Sequence, residues 1–270
     1  MSPSPTPPVG LHFVAETPVS GLAVAEHRVT HPLATLICVH GGLDRGGSFA
    51  RLARRLDVFN LVAYDRRGYQ RSRSLQPLRL DLHVADLIAV IRREKEGGPV
   101  ILFGHSYGGV VVLAAALEEP SLADLVVAYE SPLPWILSRP SSRPSLTRDA
   151  GAEAERFFRR MVSNSAWDRL SERERESRRL DGPALLSDLN SLHTGQALFD
   201  LAQLKTPAAY VYGDGILHEY YHNLSMKLNV INPNLTIHEL QNASHGVHLT
   251  SPDQFAMVLE ELWRQTCALA

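Results

Sequence analysis

Short apolar runs alternate along the chain with longer stretches whose apolar residues recur at helical spacing. Ala34–Val39 (ATLICV), Asn60–Tyr64, Val100–Phe103, Leu125–Tyr129, Ala208–Tyr212 and Leu235–Leu240 read as short strands. Continuous runs of this length, without polar alternation, predict strands buried on both faces of a parallel sheet. Leu11–Thr17 and Leu22–Val29 read as a strand pair joined by a turn around Pro18–Gly21. Helical spacing predicts helices over Ser48–Leu56, Asp81–Glu96, Tyr107–Leu117, Glu219–Leu228 and Asp253–Gln265. The second of these is closed by Gly97, Gly98 and Pro99, which cannot continue it. Strand–helix alternation of this kind predicts an α/β fold, a mostly parallel sheet with helices on both faces.

One long stretch, residues 132–203, breaks the alternation. It opens with prolines and serines and continues with arginine-rich helical patterns; Ser171 followed by Glu174 fits a capping box opening a helix over Glu172–Leu180. It is expected to form a helical cap inserted over one end of the sheet, leaving 11–131 and 204–270 as the core. The first ten residues, MSPSPTPPVG, have neither a basic nor an apolar leader region and read as a disordered tail.

Composition narrows the function classes. The chain has 270 residues, 44% of them hydrophobic and 21% charged, and a formal net charge of -2. Such a balance supplies no long-range field for nucleic acid or an anionic membrane surface. No run approaches the length of a membrane span. Two cysteines, Cys38 and Cys267, make no disulfide framework, so a reducing cytoplasm is the expected compartment. Asn234-Leu235-Thr236 and Asn242-Ala243-Ser244 match the glycosylation acceptor, a modification that a cytoplasmic chain would not meet.

The candidate chemistry lies at strand ends. Gly104-His105-Ser106-Tyr107-Gly108 fits G-x-S-x-G between a predicted strand and a predicted helix. The flanking glycines permit a sharp turn that lifts Ser106 out of the sheet at a helix N-terminus. His40-Gly41-Gly42 ends an earlier strand, and its glycines let backbone N–H groups approach a developing oxyanion; the amides of Gly42 and Tyr107 are the expected donors. His245, after the last strand, falls at the same sheet edge as Ser106 and can take and return its proton. His248 is the nearest competitor and is expected to be a packing neighbour.

On these residues the chain resembles the α/β-hydrolase superfamily, from the turn at His40 to the C-terminal helix. Asp65-Arg66-Arg67-Gly68-Tyr69-Gln70-Arg71-Ser72 is similar to the family's D-x-R-G-x-G-x-S loop, with Gln70 in place of the second glycine and no catalytic role expected. The resemblance implies an eight-stranded sheet and the chain order serine, acid, histidine. Where many members carry the acid, this chain has Ile216, which cannot orient an imidazolium. Two carboxylates can substitute: Glu130, directly after the strand VVAYE, and Asp214, one residue past Gly213. Glu130 is preferred because a strand end fixes a side chain better than a loop does.

The expected activity is hydrolysis of a small or medium acyl ester through a Ser106 acyl-enzyme, with no cofactor or metal and a small-molecule acyl substrate as the partner. Trp135, Ile136, Phe157, Phe158, Met161 and Trp167 are candidates for an apolar acyl pocket. Two rivals remain. A ligand-binding protein on the same fold is kept open by the displaced acid. A zinc protease is suggested by His218-Glu219-Tyr220-Tyr221-His222, which reads H-E-x-x-H. A third ligand and a groove, which such an enzyme also needs, are not evident in the sequence.

Overall fold

In the computed structural model of the chain, residues 10–77, 79–138 and 149–269 are described. The expected tail, apart from Gly10, and the Pro/Ser-rich stretch at 139–148 lie outside them.

Eight strands form one sheet in the order β1-β2-β4-β3-β5-β6-β7-β8. They are β1 (His12–Phe13), β2 (Val24–His27), β3 (Ala34–Val39), β4 (Phe59–Tyr64), β5 (Val100–His105), β6 (Leu125–Tyr129), β7 (Ala208–Gly213) and β8 (Thr236–Leu240). All pairings from β4 through β8 are parallel, and only β2 runs against its neighbours. This is the mostly parallel α/β sheet that the strand–helix alternation predicts, with the eight strands that the resemblance implies. The six-residue run ATLICV is buried throughout and forms a central strand, as its lack of a polar face requires.

The helices are α1 (Ala50–Ala53), α2 (Leu80–Lys95), α3 (Tyr107–Glu118), α4 (Ala150–Met161), α5 (Asn164–Asp168), α6 (Glu172–Leu180), α7 (Gly182–Ser191), α8 (His218–Ile231), α9 (Val247–Thr250) and α10 (Pro252–Leu269). No helix among the described residues is long and apolar enough to cross a membrane. Alternate residues of the strands feed two separate cores. Ile37, Val39, Leu102, Val126 and Tyr210 point to one face, packing with Leu87 of α2 and Val110 of α3. Leu36, Cys38, Phe103, Val127 and Val211 point to the other, packing with Leu52 of α1 and with Phe255 and Leu259 of α10.

Two expectations are corrected at the amino end. The first strand shrinks to two residues, because it sits at the edge of the sheet with half-buried side chains on one partner only. The helix over Ser48–Leu56 becomes a 3-10 turn, Gly46–Phe49, followed by the single turn α1. Its two leading glycines lack the propensity to extend a longer helix.

The stretch between β6 and β7 contributes α4 to α7. Their own apolar core includes Ala154, Phe158, Trp167, Ala184 and Leu185. The capping box at Ser171 and Glu174 is present and opens α6 at the predicted residue. Two buried carboxylates fasten these helices to the loop after β4. Asp181 accepts from Gln70 Nε2 (2.5 Å) and Arg73 Nε (2.7 Å). Asp188 takes both terminal nitrogens of Arg66, at 2.6 and 3.1 Å.

Candidate active site

Ser106 sits between β5 and α3 with φ 53° and ψ −122°. That backbone is strained for a residue with a side chain and is held by its surroundings. Ser106 N–H donates to the Tyr129 carbonyl at 2.8 Å, and its own carbonyl accepts from Gly109 at 2.9 Å. The turn requires its glycines. A Cβ on Gly104 would lie 2.4 Å from the Gly108 carbonyl oxygen, and one on Gly108 would lie 2.0 Å from that of Val39. The helix start leaves the Tyr107 amide without an intrahelical acceptor, aimed with the positive end of the helix toward the turn.

Glu130 follows β6 directly and is also in the left-handed region, at φ 44°. Its buried carboxylate bridges two elements. Oε1 accepts from Gly213 N–H at 3.1 Å, and Oε2 lies 2.5 Å from Nδ1 of His245. The structure therefore brings Glu130 and His245 together. Asp214 is elsewhere: it accepts the N–H groups of Asn242 (2.8 Å) and Ala243 (3.0 Å), shaping the loop that leads to His245. Ile216 is 98% exposed and stands in solvent.

His245 is steadied from two more sides. Its carbonyl accepts from His105 Nε2 at 2.7 Å, and the Tyr221 ring lies parallel to its ring at 6.4 Å. Burial, and then the neighbouring His245 and His248, push His105 well below the usual histidine range, so its ring is neutral. His248 is a buried neighbour, as expected, bonded to Asp44 at 3.2 Å.

The Gly42 amide is oriented by a device that residue-by-residue inspection of the sequence missed. His40 Nε2 accepts from the Arg66 N–H at 2.9 Å, so its Nδ1 carries the proton and donates to the Gly41 carbonyl at 2.7 Å. Arg66 Nη2 adds a second donor to that carbonyl at 3.3 Å, while Arg66 Nε holds the carbonyl of His40 at 2.8 Å. In a trans peptide the C=O and the next N–H point in opposite directions. Pinning the Gly41 carbonyl toward Arg66 thus turns the Gly42 N–H the other way. Asp188 neutralises Arg66, and Tyr69 donates to the same carboxylate at 2.6 Å. The Arg66 and Asp188 charges hold His83 and Tyr69 within this cluster, which is buried throughout. Arg66 falls at the unspecified position of the D-x-R-G loop, whose arginine is Arg67, and Asp188 is distant in sequence, so neither carried a signal.

Gly42, Ser106 and Tyr107 line one cavity of about 50 Å³. Its apolar wall comes from the inserted stretch, from Pro132 and Pro134 at its start and from Phe157, Met161, Leu185 and Leu192 further on. Of the six aromatic and aliphatic candidates, only Phe157 and Met161 line it. Phe158 and Trp167 pack inside the α4–α7 core, and Trp135 and Ile136 pack against the sheet core. Burying their large apolar surfaces there is the stronger demand.

His218 and His222 begin α8, outside this cavity. The structure supplies the third group that the sequence did not reveal: Glu239 of β8, whose Oε1 lies 3.2 Å from His218 Nε2.

Comparison with known proteins agrees with this architecture. The profile of the alpha/beta hydrolase family matches residues 36–258. The chain is 31% identical over 97 residues to lipase LipV of Mycobacterium tuberculosis, covering 36% of this chain and 37% of that one. It is 32% identical over 119 residues to human monoglyceride lipase, covering 41% and 38% respectively. These alignments span less than two-fifths of each relative. An α/β-hydrolase crystal structure from Sphaerobacter thermophilus superposes with a TM-score of 0.66 at 22% identity, covering 93% of this chain and all (100%) of that one.

Proposed function

Since the chain belongs to the α/β-hydrolase family and is a hydrolase by that kinship, we propose that it cleaves a short acyl ester through an acyl-enzyme on Ser106. The observation that carries this reading is the 2.5 Å contact between Glu130 Oε2 and His245 Nδ1, on the sheet edge that bears Ser106. A carboxylate there keeps the proton on Nδ1 and leaves Nε2 free as the base.

In the proposed reaction, His245 takes the hydroxyl proton as Ser106 Oγ bonds to the ester carbonyl carbon. The oxyanion is received by the amides of Gly42 and Tyr107. Collapse breaks the bond to the alcohol, which leaves with the proton from His245. Water then repeats the sequence in reverse, with His245 as base, and releases the acid. Among the described residues the Ser106 hydroxyl makes no hydrogen bond, and its alignment with His245 is expected to tighten around substrate. The cavity of about 50 Å³ supports the small end of the expected range, because a single water needs roughly 10–15 Å³ on the same measure. The lipases among its relatives cleave esters, in keeping with this class. The ligand-binding alternative loses the observation that kept it open, since a carboxylate does meet His245.

The test is a fluorophosphonate probe with peptide mapping, together with Ser106→Ala. The label is expected on Ser106, and the folded variant should lose on the order of 10⁴ or more in turnover of a short p-nitrophenyl ester. Wild-type turnover in the folded variant, or label on another residue, would sink the assignment.

A further inference from the structure

Helical spacing sets His218 and His222 one turn apart on the same face of α8, with ring centroids 5.8 Å apart. Glu239 reaches them from the neighbouring edge strand β8. Its Oε1 is 3.2 Å from His218 Nε2, and its Oε2 is 4.0 Å from His222 Nδ1. The donor atoms of all three lie within 4.8 Å of one another. Ligands about 2.0–2.2 Å from a tetrahedral ion stand roughly 3.3–3.5 Å apart, so one edge of that polyhedron is already formed. The two edges to His222 close by rotation of that exposed side chain.

A further residue orients the set. Tyr212, buried at the end of β7, donates its hydroxyl to Glu239 Oε2 at 2.9 Å and stands 3.1 Å from His222 Nδ1. Hydrogen bonding of this kind, from behind a carboxylate, is what fixes metal ligands in place. We propose that His218, His222 and Glu239 bind one divalent transition cation of the zinc class, with water completing the coordination. Two imidazoles and one carboxylate select zinc, nickel or copper over magnesium or calcium, which take oxygen ligands. None of the three residues lines the Ser106 cavity. The ion therefore stands apart from ester cleavage and fastens the first turn of α8 to β8. That turn also carries Tyr221, which stacks on His245.

A second group of possible ligands, Asp44, His105 and His248, provides an internal control. It is buried, with His248 Nε2 bonded to Asp44 at 3.2 Å and His105 Nε2 turned away to the His245 carbonyl.

The experiment is calorimetric titration of the metal-free, untagged full chain with zinc chloride, with cobalt absorption as a second readout. One equivalent should bind, tetrahedral cobalt bands should appear, and the thermal midpoint should rise. His222→Ala and Glu239→Gln, both at the surface, should each weaken binding by about tenfold or more while the circular dichroism is unchanged. Hydrolysis of a short ester should be the same with and without chelator. Absence of binding, or wild-type affinity in His222→Ala, would overturn the proposal. So would binding that survives in His222→Ala but disappears in His248→Ala, which would put the ion at the buried group. Loss of hydrolysis together with the ion would overturn its separation from the ester site.

Discussion

Replacing Glu130 by glutamine, set against Asp214→Asn, separates two carboxylates that both touch the His245 loop. In Glu130→Gln, the side-chain carbonyl oxygen can still accept the Gly213 N–H that Glu130 accepts at 3.1 Å, so the backbone has no reason to move. The amide –NH₂ then faces His245 Nδ1, which must become an acceptor. The ring proton moves to Nε2, the nitrogen that should receive the serine proton. The charge is lost as well. Two unit charges about 4 Å apart at an effective dielectric near 20 attract by about 4 kcal/mol, and about 1.4 kcal/mol is one decade in rate. Loss of the imidazolium's partner thus costs about three decades, and the wrong tautomer adds to this, giving roughly 10³–10⁴ in all, the order of the roughly 10⁴ that an amide in place of a serine-protease triad carboxylate costs.

Asp214 accepts two backbone N–H groups and is not the carboxylate bonded to the His245 ring. Its asparagine keeps one acceptor oxygen, and kcat should fall by no more than about tenfold. The assay is steady-state hydrolysis of a short p-nitrophenyl ester by both variants, with circular dichroism as the folding control. The fall at Glu130 should appear in kcat more than in KM. A Glu130→Gln enzyme with about a tenth or more of wild-type kcat, or an Asp214→Asn enzyme that loses as much, would refute the assignment.

Two further outcomes follow from neighbouring residues and from buried rings. Phe157 lines the cavity and Phe158 does not; Phe157→Ala should shift kcat/KM toward longer acyl chains by about 10-fold or more, whereas Phe158→Ala should leave the acyl preference unchanged and cost about 3–5 kcal/mol of stability, read by urea unfolding and an acyl-length series. Burial holds His40 down to about 3, and it also lowers His83 and His105; below about pH 6.5 the unfolded chain binds protons that the native rings refuse, so stability should fall with acid by at least ~1.4 kcal/mol per pH unit between about pH 6 and 4. Equal unfolding free energies at about pH 7 and pH 5 would refute the acid prediction.

The sheet was legible because its signal is local. Leu125–Tyr129 and Ala34–Val39 are bounded as their apolar runs predict, since a strand buried on both faces takes apolar residues almost throughout, Thr35 being the one polar residue in these two. The elbow was legible as a motif, although only Gly104 is required by a contact within a few residues; Gly108 is required by the Val39 carbonyl. Choices made by docking were not legible. Phe157 and Phe158 are adjacent in sequence and differ only by the rotation of one helical step, so the seating of α4 decides which one meets the substrate. Gln70 holds φ 45° where the family has glycine. It does so with a bond from its backbone N–H to Asp181 at 3.0 Å, from 111 positions away. Glu239 is likewise separated from His218 by a helix and a loop, which is why H-E-x-x-H showed no third ligand.

The displaced acid follows from the order of the strands. β6 lies between β5, which ends just before Ser106, and β7, where many relatives place the carboxylate. Moving the acid to the end of β6 brings it one strand nearer the serine, and the sheet then fixes it from both sides. The carbonyl of Tyr129, the residue before it, accepts the Ser106 N–H at 2.8 Å, and the Glu130 N–H donates to the Val211 carbonyl at 2.9 Å. The positive φ of Glu130 turns the chain out of the strand there, and the extra methylene of glutamate over aspartate helps span the gap to His245. With a carboxylate brought to His245 from β6, the proposed mechanism asks nothing of the loop after β7. Asp214 is free to shape the histidine loop, and Ile216 can stand in solvent without loss. On the opposite side of Ser106, Asp188 of the inserted helices holds Arg66, and Arg66 holds the Gly41 carbonyl. The proposed base and the proposed oxyanion donor are thus each set by one buried carboxylate. The first belongs to the sheet, whereas the second reaches its place only when the inserted helices are docked.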